Sequence, residues 1–269
     1  MIRKDKGVVK RAIVTPDKHF PLADLPAINC VKKAIEIVKP DMYIDLGDVG
    51  EWHGASHWQW RKKKRPPLEY QLPFIEDDIV GVNKGMDMID ESLDKVNCKI
   101  RHMIEGNHDD WMNRFVEEHP YLERYRFETC VDLKGRNYIY HPAGEYVKIG
   151  KLVLYHGHHF AGIQHTRNHL MRLGCNIMYG HHHDIQQSSV THYDGPKSAW
   201  SIGCLKDMTS EQNEWLGGRQ HNWSHAFAIV DFFNDGLFTV HVIQIIDGKT
   251  SLWGEVINGN LWKQNYKNS

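Results

Sequence analysis

Five short segments of the sequence end in residues that commonly bind metal ions. They contain Asp17 with His19, Asp48, Asn107 with His108, His156, and His181 with His183. The donors are imidazole nitrogens, carboxylates and one amide oxygen, with no thiolate among them. Such a set favours manganese, iron or zinc over the all-oxygen sites of calcium and magnesium. Two ions about 3.5–4 Å apart that share one carboxylate form a clamp for in-line displacement at phosphorus.

The stretch 42–51 carries the carboxylate best placed to be shared. It begins as a short apolar run, typical of a buried strand, and reaches Gly47 and Asp48 where that strand would leave its sheet. Gly47 lets the backbone turn sharply there. In open α/β sheets, sites gather beyond the carboxyl ends of strands. The sequence therefore predicts that Asp48 bridges two metal ions.

The other four segments also follow β-rich runs. Strands are predicted at 11–14, at 99–104, in a hairpin over 146–155 and at 176–179. Residues two apart on an extended chain point to the same side. We therefore expect Asp17 with His19, and His181 with His183, each to aim at one place, and His182 to point away.

Helical periodicity places helices between these strands. Asp24 and Pro26 start one that ends at Pro40, and a long one is predicted after Pro73, with shorter helices at 111–118 and 163–174. Beyond 184 three Asp-Gly pairs predict β-hairpins, with a polar loop over 206–224. We find no repeat or linker. This predicts one domain, 1–269, with an insertion at about 52–67 and a hairpin-rich part at about 185–256.

Composition is that of an ordinary globular protein. Of 269 residues, 41% are hydrophobic and 25% charged. A net charge of -1 means that any affinity for nucleic acid must come from local patches. The five scattered cysteines include no C-x-x-C pair, which argues against disulfides or a thiolate zinc site. With no signal-peptide pattern and no apolar run near the ~18 residues of a membrane span, the sequence predicts a cytoplasmic protein without membrane contact.

The order of the five segments resembles the calcineurin-like metallophosphoesterase superfamily. The matching elements are Asp17-x-His19, Gly47-Asp48-x-x-Glu51, Gly106-Asn107-His108-Asp109, His156 and Gly180-His181-x-His183. The resemblance implies an α/β fold, a four-layer sandwich of two mixed β-sheets flanked by helices, with the hairpin-rich tail completing the second sheet. It also implies a dinuclear centre at the strand ends. Two divalent metal ions are expected there, manganese first, with iron or zinc as alternatives.

Residue by residue, the resemblance divides the ligands between two metals. It implies Asp17, His19 and His183 on one metal, Asn107, His156 and His181 on the other, and Asp48 between them. His108 would be the catalytic histidine and not a ligand. Glu51 stands where several families place an acid that hydrogen-bonds this histidine, although an Asp is more usual there. A hydroxide bridging the metals would attack phosphorus in line, and His108, kept partly cationic by Glu51, would protonate the leaving oxygen.

The insertion contains the densest positive run, with tryptophans at 52, 58 and 60 near it. The run is Arg61, Lys62, Lys63, Lys64 and Arg65. Basic side chains with stacking aromatic rings suit a phosphate backbone and unpaired bases, although such runs are often only solvated surface. We therefore expect these five residues to bind substrate.

The expected function is hydrolysis of phosphodiester bonds in nucleic acid. The alternatives are a phosphatase or a diesterase for cyclic nucleotides or other small molecules, and, from another class, a nucleic-acid-binding module with a structural metal centre. The sequence leaves the oligomeric state open.

Overall fold

The computed structural model describes residues 10–58, 64–209 and 211–261. Its strands are, in chain order, β1 (Lys10–Thr15), β2 (Met42–Asp45), β3 (Ile100–Ile104), β4 (Tyr138–His141), β5 (Val147–Ile149), β6 (Leu152–Leu154), β7 (Asn176–Tyr179), β8 (Ile185–His192), β9 (Gly195–Ile202), β10 (His225–Phe232), β11 (Phe238–Ile245), β12 (Lys249–Leu252) and β13 (Glu255–Asn258). Its helices are α1 (Leu25–Val38), α2 (Leu68–Lys95), α3 (Asp109–Glu118), α4 (Phe127–Cys130) and α5 (His165–Leu173).

These strands form two large mixed sheets and one small hairpin. The six-stranded sheet has the order β11-β10-β1-β2-β3-β4, and the five-stranded sheet has the order β5-β6-β7-β9-β8. β1, β2, β3 and β4 run parallel to one another, as do β6, β7 and β9. β12 and β13 pair with each other. The parallel strands set the carboxyl ends of β1, β2, β3, β6 and β7 at one edge of the fold.

The two sheets pack face to face, and helices cover their outer faces. Val14 of β1 lies in the apolar cluster between the sheets, together with Leu154 of β6. Its neighbour Ile13 points the opposite way, into the cluster that includes residues of α1 and α2. Leu170 of α5 packs on the outer face of the second sheet. The predicted four-layer α/β sandwich is therefore confirmed, since the period of two along each strand buries both faces.

Helix α2 begins earlier than predicted, at Leu68, and includes Pro73. The prediction placed the helix after this proline because proline cannot donate a backbone hydrogen bond. One missing bond near the start is tolerated, since the apolar stripe of the remaining turns packs on the core. Gly85 has a packing role in the same helix: a side chain there would begin 2.3 Å from the ring of Phe20, which follows β1.

The hairpin-rich tail is divided between the sheets, which corrects the expectation that it completes the second one. β8 and β9 extend the five-stranded sheet, whereas β10 and β11 join the six-stranded sheet, with β10 antiparallel to β1. Every residue of β10 is buried. A strand apolar on both faces fits inside a covered sheet and not at a solvated edge, so β10 lies beside β1.

Two other sequence predictions concern cysteines and membranes. All five cysteines are unpaired in the described residues. None of the helices in these ranges is both long and apolar enough to cross a bilayer.

Candidate metal centre

The loops that carry the predicted ligands leave the carboxyl ends of β1, β2, β3, β6 and β7 and converge at the edge of the sandwich. Four of their residues have left-handed backbone conformations, with φ of 52° at His19, 48° at Asp48, 62° at His181 and 63° at His183. Such conformations are costly for residues other than glycine and concentrate at functional sites, where the surrounding structure compensates for the strain.

The first group of potential ligands consists of Asp17, His19 and His183. Nε2 of His183 lies 3.4 Å from Oδ1 of Asp17 and 3.2 Å from Nε2 of His19. All three residues are buried. The carboxylate of Asp17 is fixed from behind because both of its oxygens accept the backbone N–H of His181 at 2.9 Å. Gly180 leaves room for it, since a side chain there would begin 1.9 Å from Oδ2 of Asp17.

The second group surrounds Nε2 of His156. This nitrogen lies 3.2 Å from Oδ2 of Asp48, 2.9 Å from Oδ1 of Asn107 and 3.2 Å from Nδ1 of His181. The same oxygen of Asp48 lies 3.8 Å from Nε2 of His19 in the first group. Asp48 therefore stands between the two groups, the position in which the sequence predicts a bridging carboxylate.

The prediction that His181 and His183 aim at one place is wrong. It assumed an extended chain, whereas both residues have left-handed backbone conformations. They enter different groups, the division that the family resemblance implies. His182 lies outside both groups: its ring stacks on His165 with centroids 3.8 Å apart, and its Nε2 lies 3.0 Å from the carbonyl oxygen of Phe160. His165 in turn lies 3.0 Å from a carboxylate oxygen of Asp184 and supports this loop.

The spacing of the donor atoms suits two transition-metal ions. Atoms about 2.1 Å from one ion at tetrahedral angles lie about 3.4 Å from each other, and the contacts within each group measure between 2.9 and 3.4 Å. Two of the remote nitrogens lie close to oxygen atoms that can orient their rings, whereas Nδ1 of His183 has no hydrogen-bond partner among the described residues. Nδ1 of His156 lies 2.9 Å from the carbonyl oxygen of Leu46, and Nδ1 of His19 lies 2.9 Å from the carboxylate of Glu51. Such partners select the tautomer whose Nε2 can bind a metal.

Among the candidate ligands His156 has a raised pKa, so that a metal ion binding there would have to displace its proton. Burial by itself would lower its pKa, but the carboxylates of Asp48 and Asp17 raise this pKa to about 10. Burial lowers the pKa of His19 to about 4, so that this ligand is already neutral at pH 7. Because metal binding requires neutral imidazole, we expect affinity for manganese to rise about tenfold per pH unit between about pH 7 and 9, with release of about one proton.

Titration calorimetry in two buffers of different ionisation enthalpy measures the number of protons released when manganese binds. Affinity that does not change over this pH range, with no proton released, would contradict the assignment of His156 as a ligand. A fall in affinity with rising pH would contradict it as well.

His108 lies beside both groups, but Glu51 does not hold it as the resemblance implies. Nδ1 of His108 lies 3.1 Å from the backbone carbonyl oxygen of Glu51, and its backbone N–H donates to Oδ1 of Asp48 at 2.8 Å. The prediction that the Glu51 carboxylate accepts a hydrogen bond from His108 is wrong. That carboxylate lies against His19 and accepts from Nζ of Lys206 at 2.7 Å, while Nδ1 of His108 contacts the backbone carbonyl oxygen of the same residue instead.

Lys206 is a residue of the site that the sequence analysis missed. Its side chain is 3% exposed, and it lines the same pocket as the ligands. Burial alone would raise the pKa of Glu51, but His19, His108 and Lys206 hold it well below its ordinary value. Nothing in the sequence around Lys206 distinguishes it from other lysines at the start of a polar loop.

The fourth residue of the Gly-Asn-His-Asp motif positions the loops. The carboxylate of Asp109 accepts from the backbone N–H of Gly106 at 3.1 Å, from that of Gly50 at 3.2 Å and from the indole N–H of Trp52 at 2.7 Å. It thereby joins the loop after β3 to the loop after β2. Trp52 is fully buried in this contact and is not available to stack on nucleic acid. Burial, followed by the charge of Asp48, raises the pKa of Asp109 to about 6.

A pocket of about 540 Å³ opens above the two groups. Its described lining is His19, Asp48, Glu51, His53, Ser56, Trp58, Asn107, His108, Trp111, His181, His183, Lys206, Trp215 and Trp223. Lys206 is the single lysine or arginine among these lining residues. Tryptophans from three separate segments form much of the wall, and those from the 206–224 loop were not predicted to be near the site.

The basic run of the insertion is only partly described. Arg61, Lys62 and Lys63 lie outside the described residues, so the substrate-binding role expected of the run stays a prediction. Lys64 and Arg65 are described and are not part of the pocket lining. Arg65 forms an ion pair with Glu118 at the end of α3.

Comparisons with known proteins give distant similarities. No family model matches the sequence. The "Gene 54 protein" of Mycobacterium phage L5 is 24% identical over 276 residues, covering 92% of this chain and 98% of that protein. Among solved structures, a single mutant of Vps29 from Entamoeba histolytica matches with a TM-score of 0.48 and 14% identity, covering 92% of this chain and 98% of that one. A dimetal phosphatase from Danio rerio matches with a TM-score of 0.41 and 11% identity, covering 88% and 96%. Such low similarity assigns no substrate to this chain.

Proposed function

We propose that this protein is a two-metal phosphodiesterase that acts on nucleic acid. The observation that carries the proposal is the position of Asp48, whose Oδ2 atom stands between two buried groups of metal ligands. A carboxylate shared in this way brings two ions together as a clamp on one phosphoryl group. The ligand groups lie on the floor of an open pocket and not in a closed structural site.

The charge of the pocket favours a diester over a monoester. Lys206 is the one lysine or arginine in the described lining, and it is already paired with Glu51. A phosphate monoester carries close to two negative charges at pH 7, and the described lining offers no further lysine or arginine for the second. A diester carries a single charge, which the metal ions can neutralise.

Two divalent ions held here would supply Lewis acidity toward the phosphoryl group and the attacking water. The chain itself supplies the proton for the leaving group. Nδ1 of His108 donates to the carbonyl oxygen of Glu51, which orients the ring and leaves Nε2 toward the pocket. The imidazolium form would give its Nε2 proton to the leaving oxygen as the bond to phosphorus breaks. Stacking on Trp111, with ring centroids 3.9 Å apart, holds the plane of His108.

A panel of substrates tests this function. With manganese, the protein is expected to hydrolyse methyl 4-nitrophenyl phosphate and an oligonucleotide, and to act slowly on 4-nitrophenyl phosphate, a monoester. Faster hydrolysis of the monoester would favour a phosphatase. Activity on nitrophenyl diesters or cyclic nucleotides without cleavage of oligonucleotides would favour a small-molecule diesterase. Nucleic-acid binding without any hydrolysis would favour a binding module.

The salt dependence of oligonucleotide affinity tests the role of the basic run. Each phosphate contact contributes about one unit to the slope of log affinity against log salt. Replacing Lys62, Lys63 and Lys64 by alanine is therefore expected to flatten the slope by up to about three units. As a matched control, Lys33, Lys39 and Lys99 lie outside the pocket lining, and their replacement should leave the slope unchanged. If the wild type, the triple variant and the control variant had equal slopes, the basic run would be ordinary solvated surface.

A further inference from the structure

Two aromatic walls lie at the two ends of a row of ring contacts that passes through the metal-ligand groups. On one side Trp111 stacks on His108 with ring centroids 3.9 Å apart, and on the other Trp223 lies 4.6 Å from His183. Between these walls His19 lies 4.7 Å from His108 and 5.0 Å from His183. The rings thus run in order from Trp111 across the candidate metal centre to Trp223.

The second wall is built by residues 211–224. Trp215 lies 6.0 Å from Trp223 and is 63% exposed. Exposed tryptophan at the mouth of a pocket indicates a binding surface more than a packing one. Trp58 adds a ring, 55% exposed, at the mouth of the same pocket.

This wall is fixed in place by hydrogen bonds of the Asn213 side chain and of the backbone at 223–224. The side chain of Asn213 donates to the carbonyl oxygens of Asp207 and Thr209, both at 2.8 Å, which closes the loop on itself. Trp223 pairs with Asp184 in an isolated antiparallel bridge, and the next residue, Ser224, donates its N–H to the carbonyl oxygen of His183 at 2.8 Å. The position of Trp223 is therefore tied to the segment that carries a metal ligand.

We propose that these two walls stack unpaired bases on either side of the scissile phosphate, so that the substrate is single-stranded nucleic acid. This inference rests on the phosphodiesterase function proposed above. With phosphorus over the ligand groups, the leaving side faces His108, which the buried ring of Trp111 supports, and the exposed ring of Trp58, which lies near Trp111 through His57. The other side faces Trp223 and Trp215. Both substituents of the phosphate then meet an aromatic surface.

Flat rings recognise the face of a base, which is accessible only in an unpaired strand. In a duplex the faces are covered by neighbouring base pairs and only the base edges are open in the grooves. Base–aromatic stacking is also tolerant of sequence, because every base has a π face. The walls therefore select single strands without selecting a sequence.

The test compares a single-stranded oligonucleotide, the same strand in a duplex, and methyl 4-nitrophenyl phosphate, which has no group for the Trp223 wall. The wild-type protein with manganese is expected to cleave the single strand at least about tenfold faster than the duplex. In Trp215→Leu and Trp223→Leu, the kcat/KM for the single strand divided by that for methyl 4-nitrophenyl phosphate should fall about tenfold. Trp253→Leu removes a tryptophan of similar exposure, 60%, outside the pocket and should leave the ratio unchanged.

An abasic substrate separates stacking from a structural role. Removing the base on one side of the cleaved linkage should slow the wild type about as much as the tryptophan substitution does, and should not slow the variant further. Three results would each overturn the proposal. The losses of kcat/KM from the abasic site and from the substitution could add, the substitution could lower kcat/KM equally on every substrate, or the protein could cleave the interior of a duplex as fast as a single strand. Should the wild type hydrolyse no diester at all, the proposed function fails by itself. Quenching of tryptophan fluorescence by oligothymidylate then decides the stacking proposal, which an absence of quenching overturns.

Discussion

Asp48→Asn is expected to lower kcat for diester hydrolysis by about 10³-fold and to leave fewer than two metal ions bound per chain. Oδ2 of Asp48 belongs to both ligand groups, 3.2 Å from Nε2 of His156 and 3.8 Å from Nε2 of His19. Asparagine keeps an oxygen that can accept the backbone N–H of His108, but it removes the negative charge that faces both sites. Two divalent ions held here would contribute several kcal/mol in the transition state, and each 1.36 kcal/mol is about tenfold in rate.

The measurement is metal content by mass spectrometry together with kcat for methyl 4-nitrophenyl phosphate. Asp231→Asn is the matched control: Asp231 is also a buried carboxylate, but it pairs with Arg11 at the other end of β1. This control should lose thermal stability and keep both its metal content and its rate. If Asp48→Asn retained two ions and a rate within about tenfold of the wild type, Asp48 would not be the bridging ligand.

His108→Gln is expected to lower kcat by about 10²–10⁴-fold for diesters with poor leaving groups, the usual contribution of general acid–base catalysis. The loss should become smaller as the leaving group improves, because a nitrophenolate needs little protonation. The substitution keeps the backbone N–H that contacts Asp48 and removes only the ring whose Nδ1 contacts Glu51. A series of methyl aryl phosphates with leaving groups of different pKa measures this dependence.

Metal content distinguishes the two roles that the geometry offers His108. Its ring nitrogen lies within 4.8 Å of donor atoms of His19 and Asp48, so a ligand role has a definite geometry as well. Loss of a metal ion in His108→Gln would make it a ligand. An equal loss of rate for good and poor leaving groups would exclude its role as an acid. His119→Gln, which removes a ring packed on Phe115 outside the pocket, should change neither quantity.

Much of the local geometry around Asp48 was predictable from the sequence. β2 is a run of four buried residues, and the turn after it uses Gly47 with φ of 96°. A side chain at Gly47 would begin 2.4 Å from the backbone of Gly106, and one at Gly106 would begin 2.1 Å from Oδ1 of Asp48. The two glycines that mark the motifs in the sequence are thus the residues that allow the loops after β2 and β3 to touch.

Other features depend on contacts that no local pattern encodes. Glu51 meets Lys206, 155 positions away, in place of the His108 that the resemblance implied. Trp223 reaches the site because its segment pairs with Asp184. β10 belongs to the first sheet because its two apolar faces need cover on both sides, which the neighbouring hairpin signals do not reveal.

The two-sheet architecture was implied by the family resemblance. The sequence by itself determined the strand ends and the residue types and order of the candidate ligands. These follow from short-range periodicity, from glycine and proline geometry and from the chemistry of each side chain, all of which are carried by neighbouring residues. Only the tertiary structure decided which charge neutralises Glu51 and which aromatic rings line the pocket, and it placed the candidate ligands in the two groups that the resemblance implied. These are pairwise contacts between distant segments, such as His19 with His183, 164 positions apart. Their distances are set by how the two sheets pack, and packing is a property of the whole chain.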